Sequence, residues 1–249
     1  MATDQRAFVL LHGFSGSPAS WRTIVDALPL SARVFCPAIV GHAADTGPAL
    51  DFVAEVDRLA ARIAQAGVRE AHLCGYSLGA RLALGLLLRH PTWFVRATLI
   101  SANPGLAENS AERVERVASD ERWAQLAETD SDRFFAQWSA QPLFGSQRAV
   151  PDAVRAEQER VRFGHDPHAL AGAMRVLSLG RMPDWRPHLN QIPIPVAVMA
   201  GGLDNKFTGL AREMAQTLPN ARLEIVPDSG HNIPLERPSA IIAALLAGE

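Results

Sequence analysis

A chain of 249 residues with 48% hydrophobic content can bury one sizeable core, and a formal net charge of −2 leaves no electrostatic footprint for nucleic acid or an anionic membrane. No apolar stretch approaches the roughly 20 residues of a membrane span, the longest candidate being Leu82 to Leu88. The apolar N-terminal run Ala7 to Leu11 leads straight into a His12-Gly13 turn, so it reads as a strand and not as a signal peptide, and the expected location is the cytoplasm.

In chain order, short apolar runs alternate with longer helical patterns, which is the signature of a parallel sheet covered on both faces. Strands are expected at Ala7 to Leu11, Arg33 to Cys36, Ala71 to Cys74, Ala97 to Ser101, Val196 to Ala200 and Leu223 to Val226. Helices are expected over Pro18 to Leu28, Leu50 to Ala66, Leu78 to His90, Thr208 to Leu218 and Pro238 to Ala247. The first strand already ends in the turn Leu10-Leu11-His12-Gly13-Phe14, which can aim backbone N–H groups at a developing oxyanion, so an N-terminal hairpin has no room. Cys36 and Cys74, the two cysteines, sit in strand-like runs and read as small buried hydrophobes.

The third strand runs into Gly75-Tyr76-Ser77-Leu78-Gly79, followed by a helical run. A serine on a sharp strand-to-helix turn is forced out of the sheet, and small neighbours relieve the crowding, so Ser77 is a candidate nucleophile or proton relay. From about Pro104 to Asp184 the strand-like runs stop, and Arg, Glu, Trp and Phe appear at helical spacing. An insertion at this point lies over the carboxyl edge of the sheet and shapes the pocket. The expected division is therefore a core of residues 1–103 and 185–249 with a helical cap of 104–184. Most of the cap aromatics, Trp123, Phe134, Phe135, Trp138 and Phe144, read as cap core.

Strands resume at Val196 to Ala200, and Asp204 follows in Gly201-Gly202-Leu203-Asp204. His231 follows the last strand in Ser229-Gly230-His231-Asn232. The imidazole is the candidate base and the carboxylate orients it. The chain order Ser77, Asp204, His231 resembles that of α/β-hydrolases and differs from the chymotrypsin and subtilisin orders. The expected fold class is accordingly α/β, an α/β-hydrolase fold with a mostly parallel sheet of about six strands flanked by helices. No His and acidic residues share metal-ligand spacing, so neither a metal nor a cofactor is expected.

One combination of motifs is more specific. Leu11-His12-Gly13-Phe14-Ser15-Gly16, Gly75 to Arg81, Asn103-Pro104-Gly105-Leu106, Ser119-Asp120-Glu121-Arg122-Trp123, Gln141-Pro142-Leu143-Phe144, Asp204-Asn205-Lys206-Phe207 and Gly230-His231-Asn232 together resemble the MenH family, the 2-succinyl-6-hydroxy-2,4-cyclohexadiene-1-carboxylate synthases. The similarity covers nearly the whole chain. It implies a lyase of menaquinone biosynthesis that abstracts a proton and eliminates the enolpyruvyl group of its substrate as pyruvate. It implies a small-molecule partner carrying three carboxylates, which bidentate arginines suit well. Arg81, Arg116 and Arg162 match the family's positions, with Arg160 a competitor for the last. Tyr76 and Trp138 match pocket-lining positions, and the backbone N–H groups of Phe14 and Leu78 are the implied oxyanion hole.

The chain also departs from the family. Ala38-Ile39-Val40-Gly41-His42-Ala43 stands where Asp-Leu-Pro-Gly-His-Gly is usual, and Ala80 stands where Gly is usual, which bears on the loop near the oxyanion hole. Lys206, the only lysine, either pairs with a carboxylate or caps the following helix. His12 is expected to support the oxyanion loop and His42 the turn after the second strand, whereas His72, His90, His165, His168 and His188 have no triad context. The alternative reading is a serine hydrolase for an ester, thioester or carbon–carbon bond, which has no need of three convergent cations. A non-catalytic binding protein on the same fold is the further alternative, and the complete triad argues against it. The oligomeric state, monomer or homo-oligomer, is left open.

Overall fold

The structure, a computed structural model, describes residues 6–43, 47 and 50–247, so the outermost ends of the expected core, 1–5 and 248–249, lie outside the described residues. Six strands, β1 (Ala7–Leu11), β2 (Arg33–Phe35), β3 (Ala71–Tyr76), β4 (Phe94–Ile100), β5 (Val196–Gly201) and β6 (Ala221–Val226), pair in the order β2-β1-β3-β4-β5-β6. Every pairing is parallel. The near-continuous burial of β1 and β3 is what a parallel sheet covered on both faces requires. The chain leaves β1 toward β2 and returns to β3 on the other side, so the strand order reverses there and a crevice opens at the carboxyl ends of β1 and β3.

The helices are α1 (Arg22–Val25), α2 (Phe52–Gln65), α3 (Leu78–Arg89), α4 (Ala111–Thr129), α5 (Ser131–Ser139), α6 (Asp152–Phe163), α7 (Pro167–Val176), α8 (Asn205–Thr217), α9 (Ile233–Glu236) and α10 (Pro238–Leu246). Several bounds differ from the sequence reading. β3 runs on to Tyr76, because Gly75 and Tyr76 still pair with Leu99 and Ile100, which confines the sharp turn to Ser77. β4 begins at Phe94, whose buried ring anchors it, although exposed Val95 and Arg96 interrupt the apolar run. The expected first helix splits into a 3-10 turn, Pro18–Trp21, and the single-turn α1. Helix α9 was not anticipated, since four residues are too short to show periodicity.

Helix α3 is apolar almost all round, with Leu82, Ala83, Leu84, Leu86 and Leu87 buried, because it lies between the sheet and α2. Its first turn touches the backbone at the end of β1. A Cβ on Gly79 would stand 2.1 Å from the Leu11 carbonyl oxygen, so only glycine fits this elbow.

Between β4 and β5 lie α4 to α7, with a 3-10 segment, Pro142–Ala149, after α5. Phe134, Phe135, Ala124, Ala127, Leu170, Ala171 and Met174 form a separate apolar cluster within this insertion. Arg175 of α7 ties to α4 by donating to Glu121 at 2.9 Å and to Glu128 at 2.8 Å. The two ends of the insertion meet where the Trp185 N–H donates to the Pro104 carbonyl at 2.8 Å. Among the described residues no helix is long and apolar enough to cross a membrane.

Candidate active site

Ser77 stands between β3 and α3 with φ 53° and ψ −109°, a conformation that a non-glycine residue holds only when its surroundings enforce it. Its N–H is tied to the Ile100 carbonyl at 2.9 Å, and its hydroxyl faces the crevice. The hydroxyl lies 3.0 Å from His231 Nε2, and His231 Nδ1 lies 3.0 Å from Asp204 Oδ2. The carboxylate can only accept, so Nδ1 carries the hydrogen and Nε2 is left to accept from Ser77. The other oxygen of Asp204 caps α8 by accepting from the Phe207 N–H at 3.2 Å, which holds the carboxylate in place.

The loop bearing His231 is braced on two sides. Ser101 donates to the His231 carbonyl at 2.8 Å, and Glu236, at the end of α9, accepts from the N–H groups of Gly230 at 2.7 Å and Asn232 at 3.2 Å. The edge of Phe207 packs against the imidazole with centroids 4.3 Å apart. Glu236 was missed in the sequence, because its partners are backbone groups and leave no side-chain pattern.

Phe14, in the loop after β1, and Leu78, at the first position of α3, both line the crevice that Ser77 faces. His12 supports this region as its sequence context suggested. Its Nδ1–H donates to the Gly13 carbonyl at 2.9 Å, and its Nε2 accepts from the Ile39 N–H at 3.2 Å. Burial lowers its pKa to about 4, so the ring is neutral. His42 does hold the turn after β2, donating from Nδ1 to the Val40 carbonyl at 2.9 Å, and it also accepts from the Ser15 N–H at 3.0 Å.

A cavity of about 750 Å³ opens over the triad, walled by the sheet ends on one side and the α4–α7 insertion on the other. Arg81, Arg116, Arg162, Tyr76 and Trp138 all line it. Arg81, one turn into α3, donates to the Leu177 carbonyl at 2.9 Å, and burial, with Arg116 nearby, lowers its pKa to about 9. Arg116 on α4 is held by Asp120 one turn later, Nε lying 2.9 and 2.8 Å from the two carboxylate oxygens. Asp120 is a site residue the sequence did not single out.

Arg162 is only 5% exposed. It donates to the Ser139 hydroxyl at 2.6 Å, lies 5.3 Å above the Phe144 ring, and has its Nε without a partner among the described residues. Burial is the main cause that lowers its pKa. Arg160 faces solvent instead and pairs with Glu157. The geometry therefore puts Arg162, and not its neighbour, against the cavity. Burial first and Glu236 second raise the pKa of the Tyr76 phenol, which keeps it a neutral donor. Of the cap aromatics, Trp123, Phe134 and Phe135 belong to the cap cluster, while Trp138 and Phe144 reach the cavity. Lys206 also lines the cavity, exposed at its rim.

Among the described residues no three His, Cys, Asp or Glu side chains gather as a metal site would require. A serine–histidine–aspartate relay on a parallel α/β sheet defines the class, and the chain belongs to the alpha/beta hydrolase family, whose model matches residues 8–245. Within that class two curated relatives carry the name of a synthase. It is 31% identical to the 2-succinyl-6-hydroxy-2,4-cyclohexadiene-1-carboxylate synthase of Escherichia coli O1:K1 / APEC, over 95% of this chain and 91% of that protein. It is equally 31% identical to a Bacillus subtilis (strain 168) protein, over 93% of this chain and 86% of the relative. The structure of MenH from S. aureus superposes with a TM-score of 0.93 at 26% identity, covering 98% of this chain and 94% of that one. A thermophilic esterase from Thermogutta terrifontis shares the fold, with a TM-score of 0.85 at 21% identity over 96% of this chain and 88% of the esterase.

Proposed function

We infer that the chain is a 2-succinyl-6-hydroxy-2,4-cyclohexadiene-1-carboxylate synthase, a lyase of menaquinone biosynthesis that eliminates pyruvate from 2-succinyl-5-enolpyruvyl-6-hydroxy-3-cyclohexene-1-carboxylate. The observation that carries this reading is the company the triad keeps: Arg81, Arg116 and Arg162 line the same cavity as Ser77. A site for neutral esters gains nothing from three arginines around one cavity, two of them, Arg81 and Arg162, desolvated by burial, whereas a tricarboxylate substrate brings the negative charges that such forks suit. We treat residues 1–103 and 185–249 as the catalytic core and 104–184 as the cap that closes the cavity and contributes two of these arginines.

The chemistry follows from the hydrogen-bond chain. Asp204 holds the tautomer of His231, and His231 Nε2 accepts the Ser77 proton, so the serine oxygen removes the substrate proton alpha to the succinyl carbonyl. The electron pair released forms a C2–C3 double bond, the C3–C4 double bond of the ring shifts to C4–C5, and the carbon–oxygen bond at C5 breaks. The enolpyruvyl group leaves as the enolate of pyruvate and takes up the proton held by the Ser77–His231 pair, so no water is consumed. Charge that develops on the succinyl carbonyl oxygen meets the N–H groups of Phe14 and Leu78, donors of a kind each worth about 3 to 4 kcal/mol. The arginines fix the reacting atoms through remote parts of the substrate, so they serve kcat as well as KM.

The reading is tested by offering the enzyme the enolpyruvyl substrate and a neutral p-nitrophenyl ester side by side. A lyase releases pyruvate from the first far faster than it cleaves the second. Efficient ester hydrolysis with no pyruvate release would replace the lyase by a serine hydrolase.

A further inference from the structure

Ser15, the residue that follows Phe14, is held by two imidazoles, one on each of its flanking peptide units. Ser15 donates its N–H to His42 Nε2 at 3.0 Å, and its carbonyl accepts from His165 Nε2 at 3.2 Å. His42 comes from the core, but His165 comes from the cap, on the turn between α6 and α7, and is 5% exposed. The other nitrogen of His165, Nδ1, accepts the Ala43 N–H at 3.0 Å. This acceptor role places the ring hydrogen on Nε2, where it is donated to Ser15. The groups facing this ring, His42 with its centroid 5.5 Å away and Arg162, offer no negative charge, and burial keeps the imidazole neutral.

Both residues gripped by His165 are strained. Ser15 has φ 57° and Ala43 has φ 53°, left-handed conformations that a side chain disfavours. Ala43 also ends the loop in which this chain departs from the family pattern. One cap ring thus holds two core loops in conformations they do not prefer, and one of those loops carries the Phe14 N–H.

We propose that His165 is a positioning residue: by holding the Ser15 carbonyl it fixes the backbone of Ser15, the residue after Phe14, and so aims the Phe14 N–H at the oxyanion, and the hole is competent only with the cap seated. This rests on the assignment of that N–H to the oxyanion hole. The two nitrogens of the ring have separable duties. A glutamine reaches the Nε2 position and donates to Ser15, whereas an asparagine reaches only the Nδ1 position, accepts from Ala43 and leaves the Ser15 carbonyl unheld.

The experiment compares H165Q and H165N by the second-order rate at which a fluorophosphonate inactivates Ser77, with melting temperature recorded alongside. Expected is a rate within about threefold of the unmodified protein for H165Q and a loss of at least about tenfold for H165N, at similar melting temperatures. Equal rates in the two variants, or a faster H165N, overturn the proposal, since a ring that merely seats the cap has no reason to distinguish them. If H165N does not fold, H165Q decides alone: a retained rate supports the role and a tenfold loss refutes it. The probe reports on Ser77 and its hole without the natural substrate, so absence of pyruvate release with this ordering intact would defeat the lyase and leave the role of His165 standing.

Discussion

Acid should unlock the loop after β1 through His12, and the size of the effect follows from its burial. The ring has a pKa of about 4 in the folded protein against 6.5 when free; burial is the largest cause, the bond to the Gly13 carbonyl opposes it, and His165 nearby adds to it. Because the folded value is the lower one, the unfolded chain binds a proton between these limits and the native state does not. Stability is therefore intact above about pH 6.5 and falls as the pH drops toward about 4. At about pH 5 the loss from this ring is about 2 kcal/mol, and the limit below pH 4 is about 3 kcal/mol. The comparison is urea unfolding of the unmodified protein and His12→Gln at about pH 7.5 and pH 5; glutamine keeps an acceptor for the Ile39 N–H but cannot take the proton. The unmodified protein should lose about 2 kcal/mol more than the variant on acidification, or about 4 to 8 °C in melting temperature. An identical pH dependence in both proteins would refute the reasoning.

Further expectations concern the site itself. Arg162→Met should lower kcat/KM on the enolpyruvyl substrate by about 30-fold or more, the cost of stripping a carboxylate of a buried partner, while Arg160→Met should stay within about twofold, because its partner Glu157 lies on the surface. Asp204→Asn should reduce kcat by roughly a thousandfold or more with little change in the unfolding midpoint, since the imidazole loses its enforced tautomer while its packing survives. Gly79→Ala should prevent folding, visible in the circular dichroism spectrum, because its Cβ, whose position the backbone fixes, would collide at 2.1 Å with the Leu11 carbonyl oxygen, a backbone atom.

What could be read in the sequence was what is local or ordered along the chain. The elbow is legible because Gly75, Ser77 and Gly79 fall within five residues, even though the crowding that Gly79 relieves comes from Leu11 and His12. Asp204 and His231 are legible because each closely follows a strand. The choice between Arg160 and Arg162 is different: residues two apart on a helix point to opposite faces, and which face meets the cavity depends on how the cap is seated. Asp120, Glu236 and His165 escaped for a related reason. The Arg116–Asp120 pair, one turn apart, looks like any surface ion pair on a helix until the cavity is seen, and the partners of Glu236 and His165 are backbone groups, which leave no side-chain pattern. The short helix α9 and the early start of β4 were hidden where burial by tertiary packing outweighs local pattern.

The most direct test of the central claim is pyruvate release from enzymatically prepared 2-succinyl-5-enolpyruvyl-6-hydroxy-3-cyclohexene-1-carboxylate, followed together with formation of the diene product, for the unmodified protein and Ser77→Ala in parallel. The account predicts rapid release of one pyruvate per diene formed, abolished or nearly so in the variant. No release by the unmodified protein, while Ser77 still reacts with a phosphonate, would contradict it.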